Sequence, residues 1–254
     1  MYQTETSAKK IRNIIGEPFE WCEVPAGEFL FGTMQTRLTI PDFAIAKYPT
    51  TYSQYQVFVD APDGLGNARW WEGFSQDESD LRDQEWKIDN HPRERVNWYD
   101  ALGFCRWLSW KLGGGYEIED VNSWLIRLPS EFEWEKAARG TDGRIYPYGN
   151  EFDETRSNTF ESGVAKTTDV MTYSQGVSPY GVFDMSGNLW EWCFSSLNNP
   201  RLDPMNEEIK SDVIRCLRGG SFSLKRTESR VDSRYGNRPS VARSSFGFRI
   251  MRPL

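Results

Sequence analysis

The side chains best suited to chemistry are few in this sequence. Cys22, Cys105, Cys193 and Cys216 are the only cysteines in 254 residues, and His91 is the only histidine. No CxxC spacing occurs, which argues against a zinc site, and a chain of this length needs no disulfide framework. Reduced, mostly buried thiols are expected. His91 stands between Asn90 and Pro92, a turn or packing position, and no serine or acid is marked as its catalytic partner. Glu131, Glu133 and Glu135 crowd together, but on a helix face they read as solvated side chains. The densest run is residues 181–193, where Asp184 and Glu191 flank Gly187, Asn188 and Trp190. It reads as a structural hub, and its carboxylates leave room for a metal.

The elements that must position these residues follow from composition and punctuation. Hydrophobic residues make up 38% of the chain but aromatic residues 15%, including 11 Trp. Each aromatic buries far more area than an aliphatic residue, so an aromatic-rich, loop-rich α+β globule is expected. The net charge of -7 gives no global electrostatic case for nucleic acid. Residues 1–20 read as a frayed lead-in or a short helix with little to bury, ahead of a single domain over residues 21–254. They contain no apolar signal region, and no run reaches membrane-spanning length. A cytoplasmic protein, or a component of a particle assembled in the cytoplasm, is the resulting expectation.

Short strands are expected over residues 21–25, 27–32, 37–40 and 43–49, punctuated by glycine and proline. Helices are expected over residues 52–59 behind Thr51, from Trp98 to about Leu112 between Asn97 and Gly113-Gly114-Gly115, and behind the capping box of Ser130 and Glu133. Residues 61–92 form a long polar insertion whose Trp70, Trp71, Phe74 and Trp86 should fold it onto the body. No strong helix is expected after Gly140.

Several motifs recur in order: Val96-Asn97-Trp98-Tyr99-Asp100-Ala101, Arg127-Leu128-Pro129-Ser130-Glu131-Phe132-Glu133-Trp134, Gly187-Asn188-Leu189-Trp190-Glu191-Trp192, Leu217-Arg218-Gly219-Gly220-Ser221-Phe222 and Gly247-Phe248-Arg249. With them the chain resembles the formylglycine-generating-enzyme (sulfatase-modifying factor) superfamily, a branch of the C-type lectin fold. That resemblance implies two main helices, small antiparallel sheets and much irregular backbone. It also implies an oxidase site of two cysteines holding copper, but the matching positions are Leu224 and Ser229, which cannot act as thiolate ligands. The iron-dependent branch needs several histidines. A non-enzyme without a redox cofactor is therefore expected. The alternatives are an atypical modifying enzyme that has lost the usual cysteines, or a structural or regulatory module of a larger assembly.

One structural Ca²⁺ is implied by the same resemblance, at Asp184, Gly187, Leu189 and Glu191, because hard oxygen ligands suit that ion. Without it, Asp184 and Glu191 would pair with backbone N–H groups or with arginines such as Arg218. Residues 223–245 carry Lys225, Arg226, Arg230, Arg234, Arg238 and Arg243 against Glu228 and Asp232, a local +4 in a chain of -7. The segment resembles the variable stretch of proteins diversified by retroelements. That resemblance implies a binding surface for a protein or cell-surface ligand. Its expected solvent-facing contacts are Ser223, Leu224, Lys225, Glu228, Ser229, Asp232, Ser233, Tyr235, Asn237 and Ser244, with the arginines bracing the backbone.

Overall fold

A computed structural model describes residues 2–74, 82–113, 125–200, 202, 209 and 213–254 of the chain. It opens on helix α1 (Tyr2–Ile15). Ala8, Ile11 and Ile15 recur at three- and four-residue spacing and are buried in the main core, so the expectation of little to bury is corrected. The run is short and polar overall, which hid the narrow apolar stripe. Strands β1 (Trp21–Val24), β2 (Gly27–Phe31), β3 (Thr36–Ile40) and β4 (Phe43–Ala46) follow as expected.

Capping chemistry starts the next three helices. α2 (Tyr52–Asp60), α3 (Trp98–Leu112) and α4 (Glu131–Arg139) are capped by Thr51, Asn97 and Ser130. Each cap accepts from the N–H of the third helical residue, whose side chain reaches back to the N–H of the cap. The partners are Gln54, Asp100 and Glu133. Gly114 and Gly115, expected to stop α3, lie outside the described residues. Beyond Gly140 the described helices are short 3-10 turns, and strands β5 (Trp190–Ser196), β6 (Arg215–Arg218), β7 (Arg234–Asn237), β8 (Phe246–Gly247) and β9 (Met251–Pro253) carry the chain. No described helix is long and apolar enough to cross a membrane.

The sheets are small. β1, β4 and β9 form one antiparallel sheet, β2 and β3 a hairpin, and β7-β6-β5-β8 a four-stranded sheet in which β5 and β8 run parallel. The chain end thus pairs with β4 and locks the N-terminal sheet. Around α3, Trp98, Phe104, Trp107, Trp192 and Phe248 fill an aromatic core, and burying each contributes about 1.5–3 kcal/mol. A second cluster packs Phe132 and Trp134 of α4 against Phe29, Phe43 and Ile45. Trp70 and Phe74 of the polar insertion are buried in the first cluster, and Trp86 meets Phe222 edge-on at 5.3 Å. Residues 75–81 of that insertion lie outside the described residues.

The glutamates of α4 correct a second expectation. Glu131, Glu133 and Glu135 are buried, because arginines from other elements close over the helix face. Arg127 grips Glu133 with bonds of 2.8 and 2.7 Å. Burial pushes the Glu133 carboxyl up, but the charge and hydrogen bonds of Arg127 outweigh it and hold the group below the usual glutamate range. Its contribution is complete above the pKa of the unfolded chain and is lost as the pH falls through that range towards the lower folded value. Arg127→Met should therefore flatten the acid limb of stability between about pH 5 and pH 3, read from urea unfolding at stepped pH. An unchanged acid limb would refute this assignment.

Candidate functional site

The hub is built on strained backbone. Asp184 and Asn188 hold φ of 56° and 63°, and Gly187 lies between them at 84°. A Cβ on Gly187 would stand 2.2 Å from the Asn158 carbonyl oxygen, so this position admits only glycine. Asn188 Nδ2 donates to the Asp184 carboxylate at 2.8 Å, and Asn188 Oδ1 accepts from the Thr168 N–H at 3.0 Å. Burial pushes the Asp184 carboxyl up to about 7 despite the Asn188 hydrogen bond and the nearby Arg249 charge.

Glu191 has a different partner from the one expected. It pairs with Arg249, whose Nε and Nη2 each donate at 2.6 Å, and it accepts from Trp134 Nε1 at 2.8 Å. Arg218 instead serves Glu135 and the Val231 carbonyl. The implied calcium therefore fits in part. Asp184 keeps free acceptor capacity, and a desolvated carboxylate favours a cation or a proton. At Glu191, three of about four lone-pair positions are occupied, and a fixed guanidinium opposes a second cation. Among the described residues no group of three or more His, Cys, Asp or Glu side chains could hold a metal.

All four cysteines are free and buried, and burial pushes Cys22 up to about 11 and raises Cys105 and Cys193 as well. His91 is also packed, with Nδ1 2.8 Å from Thr167 Oγ1.

Residues 223–245 frame an open cleft of about 540 Å³ beside the β7-β6-β5-β8 sheet. Of the expected contacts, Ser223, Leu224, Glu228, Ser233 and Tyr235 line it. Lys225 is exposed outside the lining, and Asn237 and Ser244 are half-buried outside it. Ser229 and Asp232 are buried, which corrects their placement as solvent-facing. Ser229 is wedged under Gly220, where a Cβ would lie 2.4 Å from its Oγ, and its carbonyl accepts from Ser186. Asp232 is turned inward to receive Arg230 at 3.1 Å and Arg139 at 3.7 Å.

The arginines divide. Arg234 braces as expected, donating to Glu131 at 2.6 and 2.7 Å and to the Leu197 carbonyl at 2.7 Å. Arg243 lines the cleft 5.8 Å over the Phe246 ring and makes no ion pair among the described residues. Trp190, Ser221, Thr227, Ser245 and Phe246 also line the cleft, though nothing in their spacing marks them. Outside the segment, the turn Phe160–Ser162 is hydrogen-bonded to it. The Phe160 N–H donates to the Leu224 carbonyl at 2.8 Å while the residue is 62% exposed. Glu161 accepts from the Arg226 N–H with both oxygens, at 3.0 and 3.1 Å, and so pins the 224–229 turns. Glu161→Gln should speed hydrogen exchange at the Arg226 amide several-fold with under about 1 kcal/mol change in stability, measured by exchange mass spectrometry. Equal exchange in the two proteins would rule out the clamp.

Comparison with known proteins agrees with this architecture. The family described as sulfatase-modifying factor enzyme 1-like domain matches residues 11–254. The mouse inactive C-alpha-formylglycine-generating enzyme 2 is 28% identical over 89% of this chain and 83% of its own. The Bacillus subtilis protein YfmG is 28% identical over 84% of this chain, which spans 51% of that protein; the chain spans 24% of a matching Chlamydia pneumoniae serine/threonine-protein kinase, pkn1. Treponema denticola variable protein 1 superposes with a TM-score of 0.69 over 94% of this chain and 97% of its own, at 23% identity, which establishes a shared fold. Because the family model matches residues 11–254, the chain belongs to the sulfatase-modifying factor (formylglycine-generating-enzyme-like) family.

Proposed function

We propose that the cleft and the segment around it form a non-catalytic surface that binds a protein or cell-surface ligand. The observation that carries this reading is the fate of the two oxidase positions. Leu224 is an apolar wall of the cleft and Ser229 is buried beneath Gly220, so the thiol chemistry implied for oxidase relatives has no counterpart in this cleft. Function in this family is set by the site carried on the fold. The Treponema protein is named as variable, which supports the finer reading that residues 223–245 are diversified while the hub stays fixed. The inactive mouse relative supports a domain kept without oxidase chemistry.

The decisive experiment is panning of the purified domain against intact cells and a protein array, beside a Tyr235→Ala variant of equal melting temperature. Tyr235 is an exposed aromatic on the cleft, and its loss should weaken binding about thirtyfold or more. Copper-dependent oxidation of a cysteine peptide by the same protein would replace this reading with the modifying-enzyme alternative. A structural Ca²⁺ is proposed at Asp184 with the Gly187 and Leu189 carbonyls and, through its remaining lone pair, Glu191. Metal analysis with melting in chelator tests it, and no bound Ca²⁺ with an unchanged melting temperature dismisses it.

A further inference from the structure

We propose that the cleft selects an extended polypeptide that presents an acidic side chain, its carboxylate held by Arg243 and Arg234 and its backbone running beside β7. The inference rests on the reading of the cleft as a ligand site and names the class of ligand.

Charge is the first support. The chain carries -7, yet the wall behind the cleft holds an excess cation. Arg139, Arg218, Arg230 and Arg234 stand against Glu131, Glu135 and Asp232 in one linked set of ion pairs. Arg234 is the member that reaches the cleft. Its Nε and Nη2 are committed to Glu131 and Leu197, so the guanidinium is fixed, and Nη1 makes no hydrogen bond among the described residues. Arg243 adds a second cation, and Glu228 is the single acid of the lining. A guanidinium already held in place offers its remaining Nη1–H donors to a carboxylate as charge-assisted hydrogen bonds without a further ordering cost. The low-dielectric wall focuses that field into the cleft.

The floor and the rim supply the rest. Trp190 and Tyr235 lie 5.6 Å apart at 31°, and Tyr235 lies 6.1 Å from Phe246. Trp190 and Phe246 are buried while Tyr235 is 38% exposed, so an apolar stem next to a charged head finds its contact on Tyr235. Among the described residues β7 is an edge strand, paired with β6 on one side only. Its free edge offers main-chain donors and acceptors to an added strand, a recognition mode specific to polypeptides. A carboxylate on a sugar would use the arginines but not this edge.

The test uses the whole protein and two fluorescein-labelled peptide pools with randomised flanks, one centred on Glu-x-Glu and the other on Gln-x-Gln, followed by fluorescence anisotropy. The glutamate pool should bind at least tenfold more tightly, and more weakly as salt rises. Arg243→Gln, at an exposed position, should keep the melting temperature and cut the preference for the glutamate pool about threefold or more, Arg234 retaining the remainder. A glutamate pool with N-methylated backbone should lose at least tenfold. Equal affinity of the two pools, or a preference undiminished by Arg243→Gln, overturns acidic selection at this cleft. Undiminished binding of the methylated pool overturns the strand pairing and assigns the carboxylate to another carrier. Binding of neither pool refutes the inference, while the cleft itself is still judged by panning with Tyr235→Ala.

Discussion

Arg249→Met is expected to destabilise the domain by about 3–5 kcal/mol, the usual consequence of removing one partner from a buried ion pair. Arg249 and Glu191 are both essentially inaccessible, and the pair is joined by two bonds of 2.6 Å. The same guanidinium donates to the carbonyls of Ala46, Lys47 and Phe183, so it ties the end of β4 and the hub to β5. Without it, Glu191 retains only Trp134, and three carbonyls lose a donor. Urea unfolding would measure the loss. The double variant Arg249→Met with Glu191→Leu should lose less than the single variant, because no charge is left stranded. A single variant within about 1 kcal/mol of the parent would show that the pair is not what holds the hub.

Gly187→Ala should cost about 3 kcal/mol. Part of this is the left-handed backbone, which disfavours a side chain by about 1 kcal/mol. The larger part is steric, because the new Cβ would strike the Asn158 backbone and part the Asn158–Gly187 bridge. Gly163 separates the two contributions. It has φ of 69° but no atom within 4 Å of a built Cβ, so Gly163→Ala should lose only about 1 kcal/mol. Equal losses in the two variants would mean that strain alone acts at Gly187.

Much of the scaffold is legible residue by residue. The caps at Thr51, Asn97 and Ser130 mark helix starts because short polar side chains satisfy N–H groups locally. The N-terminal strands are punctuated by glycine and proline, which act within a few residues. The missing thiols at 224 and 229 are visible because a residue type either supplies a chemistry or does not. Burial of charge is not legible in the same way. Glu131 and Glu135 look like surface carboxylates until Arg218 and Arg234, about a hundred positions away, are brought over α4. Ser229 and Asp232 look like their exposed neighbours Thr227 and Glu228, and only the close approach of Gly220 and the inward turn to Arg139 separates them.

The sequence by itself therefore determined the family, the starts of the three capped helices and the absence of cysteine at positions 224 and 229. Each rests on residue type or on contacts between near neighbours. Tertiary structure alone decided that Glu191 belongs to Arg249 and that Glu161 pins Arg226. It also decided that, of the two arginines lining the cleft, Arg234 is paired with Glu131 while Arg243 makes no ion pair among the described residues. Those choices depend on which distant side chains share a dry, crowded space, and pairing across that space has no periodicity for a sequence to display.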